Sequence, residues 1–311
     1  MRGKFGLTTI LCVMMWWVGG CGVLSTQVVQ PGIDQLGPSG HGFRSPVWSP
    51  DGSKVAVTNQ TVVSSWTSEV FVLDVSTGSK QSIMYTDYGS VLAIGWSPDG
   101  NQILLASQEG GDWPEGIWKI DADGKSSAQF LAAGYDAAWS PDGKSIAVFT
   151  HAEERAHQDV EIGLINLETK DQEIIFGTRT PNVVGDDLAW SPRGDELIFV
   201  YGPAGVGQLD LYVLNVVTAE AKRITEEGEN YSPSWSPDGN LIAYLSDAGK
   251  EHNPILFLAD KNNSCQQELV SLDDLRWPSW SPDGKQIAFV SHGNVYLLDL
   301  DKFPVYKSVC S

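Results

Sequence analysis

The chain has 311 residues, 39 acidic and 20 basic, for a formal net charge of −19. That balance disfavours nucleic acid and anionic membrane surfaces, which need positive charge, and suits solubility, basic partners or divalent cations. With 42% hydrophobic residues the chain readily builds a core, and its length past the N-terminal segment fits one domain.

The first element is a targeting segment. Arg2 and Lys4 precede an apolar stretch from Phe5 to Val18, too short to span a membrane but suited to a signal peptide. It ends in Val18-Gly19-Gly20-Cys21, an aliphatic and two small residues ahead of a cysteine, which resembles a bacterial lipobox. Residues 1–20 are therefore expected to be a lipoprotein signal peptide, and the Cys21 thiol the site of acylation, palmitate included, that makes a membrane anchor. A plain secretory signal with an incidental cysteine is the alternative. Residues 21–42, rich in Gly, Ser and Pro, follow as a flexible tether. Residues 43–311 are left for the folded domain.

Within that domain Trp-Ser-Pro-Asp-Gly begins at Trp48, Trp96, Trp139, Trp235 and Trp280, and Trp-Ser-Pro-Arg-Gly begins at Trp190. A period of about 45 residues means one supersecondary unit used repeatedly. Pro presets φ for a tight turn, Asp tolerates the next position, and Gly takes the left-handed conformation that returns the chain as a strand. Each pentapeptide is thus a hairpin loop, and its tryptophan a wedge between repeats. Arg193 in the fourth copy, with Asp195 only after Gly194, argues that the turn does not depend on the aspartate charge.

After each turn comes an apolar run such as Lys54–Thr58 or Gln286–Val290, then a second such as Val70–Leu73 or Val295–Leu298. A weaker outer strand and the stretch leading into the tryptophan complete four antiparallel strands per repeat. Six repeats predict an all-β, six-bladed β-propeller. For the last outer strand, residues 305–309 and residues 23–30 are both candidates. A closed ring leaves monomer as the default.

Once Cys12 leaves with the signal and Cys21 is acylated, Cys265 and Cys310 remain as an even pair in an oxidising compartment. A disulfide between the outer strands of blades five and six is one reading, and two buried thiols the other.

Topology puts the pentapeptide turns on one face and the longer loops on the other, around the channel mouth, where binding concentrates in propellers. The between-blade loops there are acidic and aromatic: Asp87 and Tyr88, Tyr135 and Asp136, Asp186 and Asp187, Glu229 and Tyr231, Asp273 and Asp274. They predict a negative mouth lined with tyrosines. Trp66 and Trp113, in loops of the same face, either anchor a partner or fold back over a blade edge. Trp277, close to the axis, is expected to be packed. All five histidines, His41, His151, His157, His252 and His292, fall on that face too. Three ligands converging near the axis would make a metal site, for which His151, His252 and His292 are the candidates, whereas solvated loop histidines need no convergence. No cofactor is expected, although calcium or another divalent cation would suit the acidic loops.

The motif and the strand after it, such as Lys285-Gln-Ile-Ala-Phe-Val-Ser291, resemble the repeats of TolB-like propellers, a WD40-like group, from about Phe43 onward. The resemblance implies partner binding in the cell envelope. Related propellers occur in prolyl oligopeptidase-like peptidases and in oligogalacturonate lyase-type enzymes. No Gly-x-Ser-x-Gly elbow is present, and the chain reads as a stand-alone propeller. The expected function is that of an extracytoplasmic, membrane-anchored lipoprotein of the bacterial cell envelope that binds a protein or envelope polymer without catalysis. A metal-dependent, polysaccharide-acting enzyme using loop histidines is the alternative.

Overall fold

Every pentapeptide turn in the chain is held by its own serine. Ser49 Oγ donates to Asp51 Oδ1 at 2.6 Å and accepts from Lys54 N at 2.9 Å, while Ser53 N donates to the same carboxylate oxygen at 3.0 Å. The serine–aspartate pair recurs at Ser97–Asp99, Ser140–Asp142, Ser236–Asp238 and Ser281–Asp283. In the fourth turn Ser191 Oγ donates instead to Asp195 Oδ1 at 2.8 Å. The carboxylate that Arg193 displaces is thus restored from the residue after the glycine, which corrects the expectation that this turn dispenses with it.

The computed structural model describes residues 32–39, 42–62, 66–87, 89–108, 114–151, 160–177, 183–203, 208–247 and 253–303. Their strands form six four-stranded antiparallel sheets, the blades of a propeller. Blade one runs from its inner strand outward as Phe43–Trp48, Lys54–Val62, Trp66–Asp74 and Lys80–Thr86. Blades two to five repeat this order, with inner strands Val91–Trp96, Asp136–Trp139, Val183–Trp190 and Asn230–Trp235.

Blade six has Arg276–Trp280, Gln286–Ser291 and Asn294–Asp299, and its outer strand is Ile33–Leu36. Ile33 pairs with Leu298 and Leu36 with Val295, antiparallel, and both side chains are buried. Neither candidate segment supplies this strand, so the propeller begins ten residues before Phe43, inside the expected tether (Ile33 against Phe43). The ring therefore closes by pairing an N-terminal strand with the last repeat. Cys310 is not at the end of that strand. It lies outside the described residues, while Cys265 is disulfide-bonded.

The core sits between blades rather than within them. Trp48 packs with Val57 and Phe71 of blade one and with Ala288, Val290 and Val295 of blade six. Trp96 does the same between blades one and two, and Trp235 between four and five. Three indoles also donate to the inner strand of the preceding blade: Trp48 to Ser279 O, Trp96 to Val47 O and Trp190 to Ala138 O, at 3.0–3.1 Å. Each tryptophan wedges one blade against the last. The turn glycine of each blade also rests on the proline of the one before, so a Cβ on Gly52 would lie 3.7 Å from Pro282 and one on Gly100 3.7 Å from Pro50.

Candidate functional site

On the face opposite the turns, the inner strands open a channel of about 500 Å³. Its wall takes residues from every blade, among them Ser45, Leu92, Asp136, Asp187, Ser232 and Trp277. A backbone device repeats here. In four blades the third residue before the motif tryptophan is left-handed: Ser45 (φ 48°), Asp187 (54°), Ser232 (51°) and Trp277 (51°). Each sits where the inner strand slips register against its neighbour. Such bulges turn the strand and leave a backbone group without a ladder partner. A left-handed tryptophan is a marked outlier, costing about 1–3 kcal/mol, and such strain gathers at functional sites.

The next residue shows how the orphaned donor is handled. After three of these bulges it is proline, Pro46, Pro233 or Pro278, which has no N–H to satisfy. After the fourth it is Leu188, whose N–H donates to Asp136 Oδ2 at 2.7 Å. Asp136 Oδ1 accepts from Ala137 N at 2.8 Å, and Asp187 Oδ2 from Ser232 N at 2.7 Å. These two aspartates, expected on the partner-binding face, line the channel but use their carboxylates to tie blades three to four and four to five.

The tyrosines are likewise half-buried. Tyr135 lines the wall and stacks on Phe149, with centroids 5.8 Å apart and planes 9° apart. Tyr231 packs on the core between blades four and five, and burial pushes its phenol above the usual range. Asp274 lies outside the wall and pairs with Arg276 at 2.6 Å.

The mouth is not uniformly negative, as the loops had suggested. The fourth residue before each motif tryptophan is, from blade one to blade six, Arg44, Leu92, Tyr135, Asp186, Tyr231 and Arg276. Closing the ring makes Arg44 and Arg276 neighbours, and their guanidinium carbons lie 5.8 and 5.9 Å from the Trp277 ring centroid, in cation–π range. Trp277 is half-buried: it packs against the core cluster shared by blades one and six, as expected, and also lines the channel. Neither arginine was singled out from sequence. Aligning the repeats at this one position would have found both.

The remaining predicted positions divide. Trp66 is the first residue of a strand, paired with Val62, and not a loop residue; blade one's middle hairpin simply runs longer than expected. The side chains of Trp66, Asp186 and His151 are outside the described part, as are Tyr88, Trp113, His41, His157 and His252 entirely. His292 is exposed in a two-residue turn with Gly293, both at positive φ, and its Nδ1 lies 3.0 Å from Ser291 Oγ. Among the described residues no three His, Cys, Asp or Glu side chains converge as metal ligands.

Comparison with known proteins places this geometry. The family described as the TolB beta propeller domain (PD40) matches residues 136–303. The Tol-Pal system protein TolB of Francisella tularensis is 28% identical over 203 residues, 65% of this chain and 45% of that protein. This chain spans about a third to a half of the length of the curated relatives it matches. A solved structure of putative TolB from Agrobacterium tumefaciens superposes with a TM-score of 0.64 at 19% identity, covering 83% of this chain and 90% of that one. Oligogalacturonate lyase in complex with manganese does so at 0.57 and 14%, covering 86% and 96%. At these identities the structures show a shared fold.

Proposed function

Because the chain belongs to the TolB β-propeller domain family, we propose that it is an extracytoplasmic lipoprotein, acylated at Cys21, whose propeller binds a protein or cell-envelope partner without catalysis. The observation that carries this reading is the channel mouth: about 500 Å³ deep-set among inner strands, strained at four blades, and framed by Arg44, Trp277 and Arg276. Concave sites with few placed polar groups are where partners and ligands seat. The opposite face is occupied by turns whose serines, aspartates and glycines hold one another.

Photo-cross-linking in intact cells tests it. A cross-linker at Asp273, exposed on the mouth face, should capture an envelope component, whereas one at Lys125, exposed on the turn face, should not. Equal capture from both positions, or none from Asp273, removes the reading. Acylation is checked separately by mass spectrometry of the mature N-terminus and by loss of membrane association in Cys21→Ala.

The alternative, a metal-dependent enzyme on polysaccharide, draws on His151, His252 and His292. Elemental analysis of the purified protein before and after chelator decides it. A stoichiometric metal that is lost on substituting these histidines would reverse the ranking.

A further inference from the structure

The charges at the mouth are not equally available. Asp136 and Asp187 are engaged by backbone N–H groups of neighbouring strands. Asp274 is paired with Arg276, in a contact where both side chains are about half exposed. Arg44 contacts the Trp277 ring and has no carboxylate partner among the described residues. Arg44 therefore keeps its guanidinium for a partner, and Arg276 keeps the nitrogens other than the Nε that Asp274 holds, on a chain whose net charge is −19. A guanidinium can hold a carboxylate through two parallel N–H···O bonds while its face rests on an aromatic ring.

The wall below has different chemistry. Pro46, Pro233, Pro278, Leu92, Ile94 and Leu188 supply apolar surface. Two of its hydroxyls are already engaged: Ser45 Oγ donates to Ala93 O, and Ser234 Oγ accepts from Trp280 N. A sugar polymer would bring many hydroxyls against this apolar stretch, and burying them unpaired is costly. An extended polypeptide with apolar side chains suits this wall, provided its charge is carried at the mouth.

We propose that Arg44, Trp277 and Arg276 form the specificity subsite of the channel and take a side-chain carboxylate, so that the element seated there is an acidic, otherwise apolar polypeptide segment. This rests on the reading of the mouth as the partner site, and it replaces the basic partner that net charge alone suggested with an acidic one. Trp277 is held in its left-handed conformation so that its ring stays beside both guanidiniums while its backbone lines the channel.

The test uses the full chain in detergent, labelled with ¹⁵N at tryptophan, with the Trp277 indole signal identified by its absence from Trp277→Phe. The probes are an acetylated, amidated decapeptide alternating Glu with Leu and Ala, its Gln and Lys counterparts, and trigalacturonate. The Glu peptide should shift the Trp277 signal and weaken about tenfold in Arg44→Gln/Arg276→Gln, and its affinity should fall as salt is raised. The Gln and Lys peptides should leave the signal in place. The proposal is overturned if the Lys peptide binds as well, if the double variant binds the Glu peptide like the parent, or if only trigalacturonate moves the signal.

Cross-linking from Asp273 separates this from the broader reading. A partner captured equally by parent and double variant leaves the mouth as the partner site and removes the carboxylate subsite. Peptide binding at Trp277 with no partner captured in cells does the reverse.

Discussion

Ser191 and Asp195 stand four residues apart, joined by a 2.8 Å hydrogen bond, where the other five turns pair a serine with the carboxylate two residues on. The turn therefore needs an acceptor for its serine but not at one fixed position. Asp195→Ala should destabilise the protein by about 1–3 kcal/mol, because the Ser191 hydroxyl loses its charged acceptor. Denaturant midpoints measure this. An unchanged midpoint would mean that Arg193 has made the fourth turn independent of any carboxylate.

The same hydrogen bonds govern acid stability. The Ser49 hydroxyl, with the Ser53 N–H, holds the Asp51 carboxyl down to about 2, and the serines of their own turns lower Asp99, Asp142 and Asp283 likewise. A carboxylate depressed on folding contributes stability that is complete above its ordinary value near 4 and is lost as pH falls through its folded value. The melting temperature should change little from these groups above about pH 5 and fall between about pH 4 and pH 2. A melting temperature at pH 2.5 equal to that at pH 5 would contradict the assignment.

At the channel, Asp187→Ala leaves the buried Ser232 N–H without its acceptor and puts alanine at φ 54°. The expected loss is about 1–3 kcal/mol. Asp187→Asn keeps an acceptor and a residue tolerant of that conformation, so it should lose much less. Equal losses in the two variants would show that the carboxylate charge, rather than the hydrogen bond, matters.

Ring closure rests on two side chains. Leu36→Ala removes packing from the cluster shared by blades one and six and should cost about 2 kcal/mol or more. A mature chain beginning at residue 40 should be less stable still, since the whole Ile33–Leu36 pairing with Asn294–Asp299 is gone. If that truncation unfolds at the same denaturant concentration as a chain beginning at residue 31, another segment can close the ring.

Cys265 carries a disulfide, and we propose Cys310 as its partner. Denatured mature protein should then show no reactive thiol before reduction and two afterwards. Cys265→Ala/Cys310→Ala should lower stability by about 2–4 kcal/mol. Two thiols reacting without reductant would exclude the bridge.

The six blades were legible because turn chemistry, strand composition and period agree in every repeat. Ile33–Leu36 was not. Its two buried residues are separated by Asp34 and Gln35, which breaks the period of two, and Pro31-Gly32 and Gly37-Pro38 flank it like linker. Asp136 and Asp187 were legible as channel residues but not as inter-blade acceptors, because no local pattern reveals which backbone N–H a bulge will orphan. Arg44 and Arg276 lie 232 positions apart in the chain (44 against 276) and meet only through closure, so no window of sequence contains both.

The contact of each turn glycine with the preceding blade's proline has a consequence for how this molecule could change. A Cβ at any of these glycines would lie 3.3–3.7 Å from that proline with φ near +70°, so a side chain there strains the turn that receives it before it moves a neighbour. At the opposite face Arg44 and Arg276 have ordinary backbone conformations, although Asp136 and Asp187 tie neighbouring blades there. New specificity is therefore open to single substitutions at such rim positions, whereas at the base each turn is constrained by its own glycine.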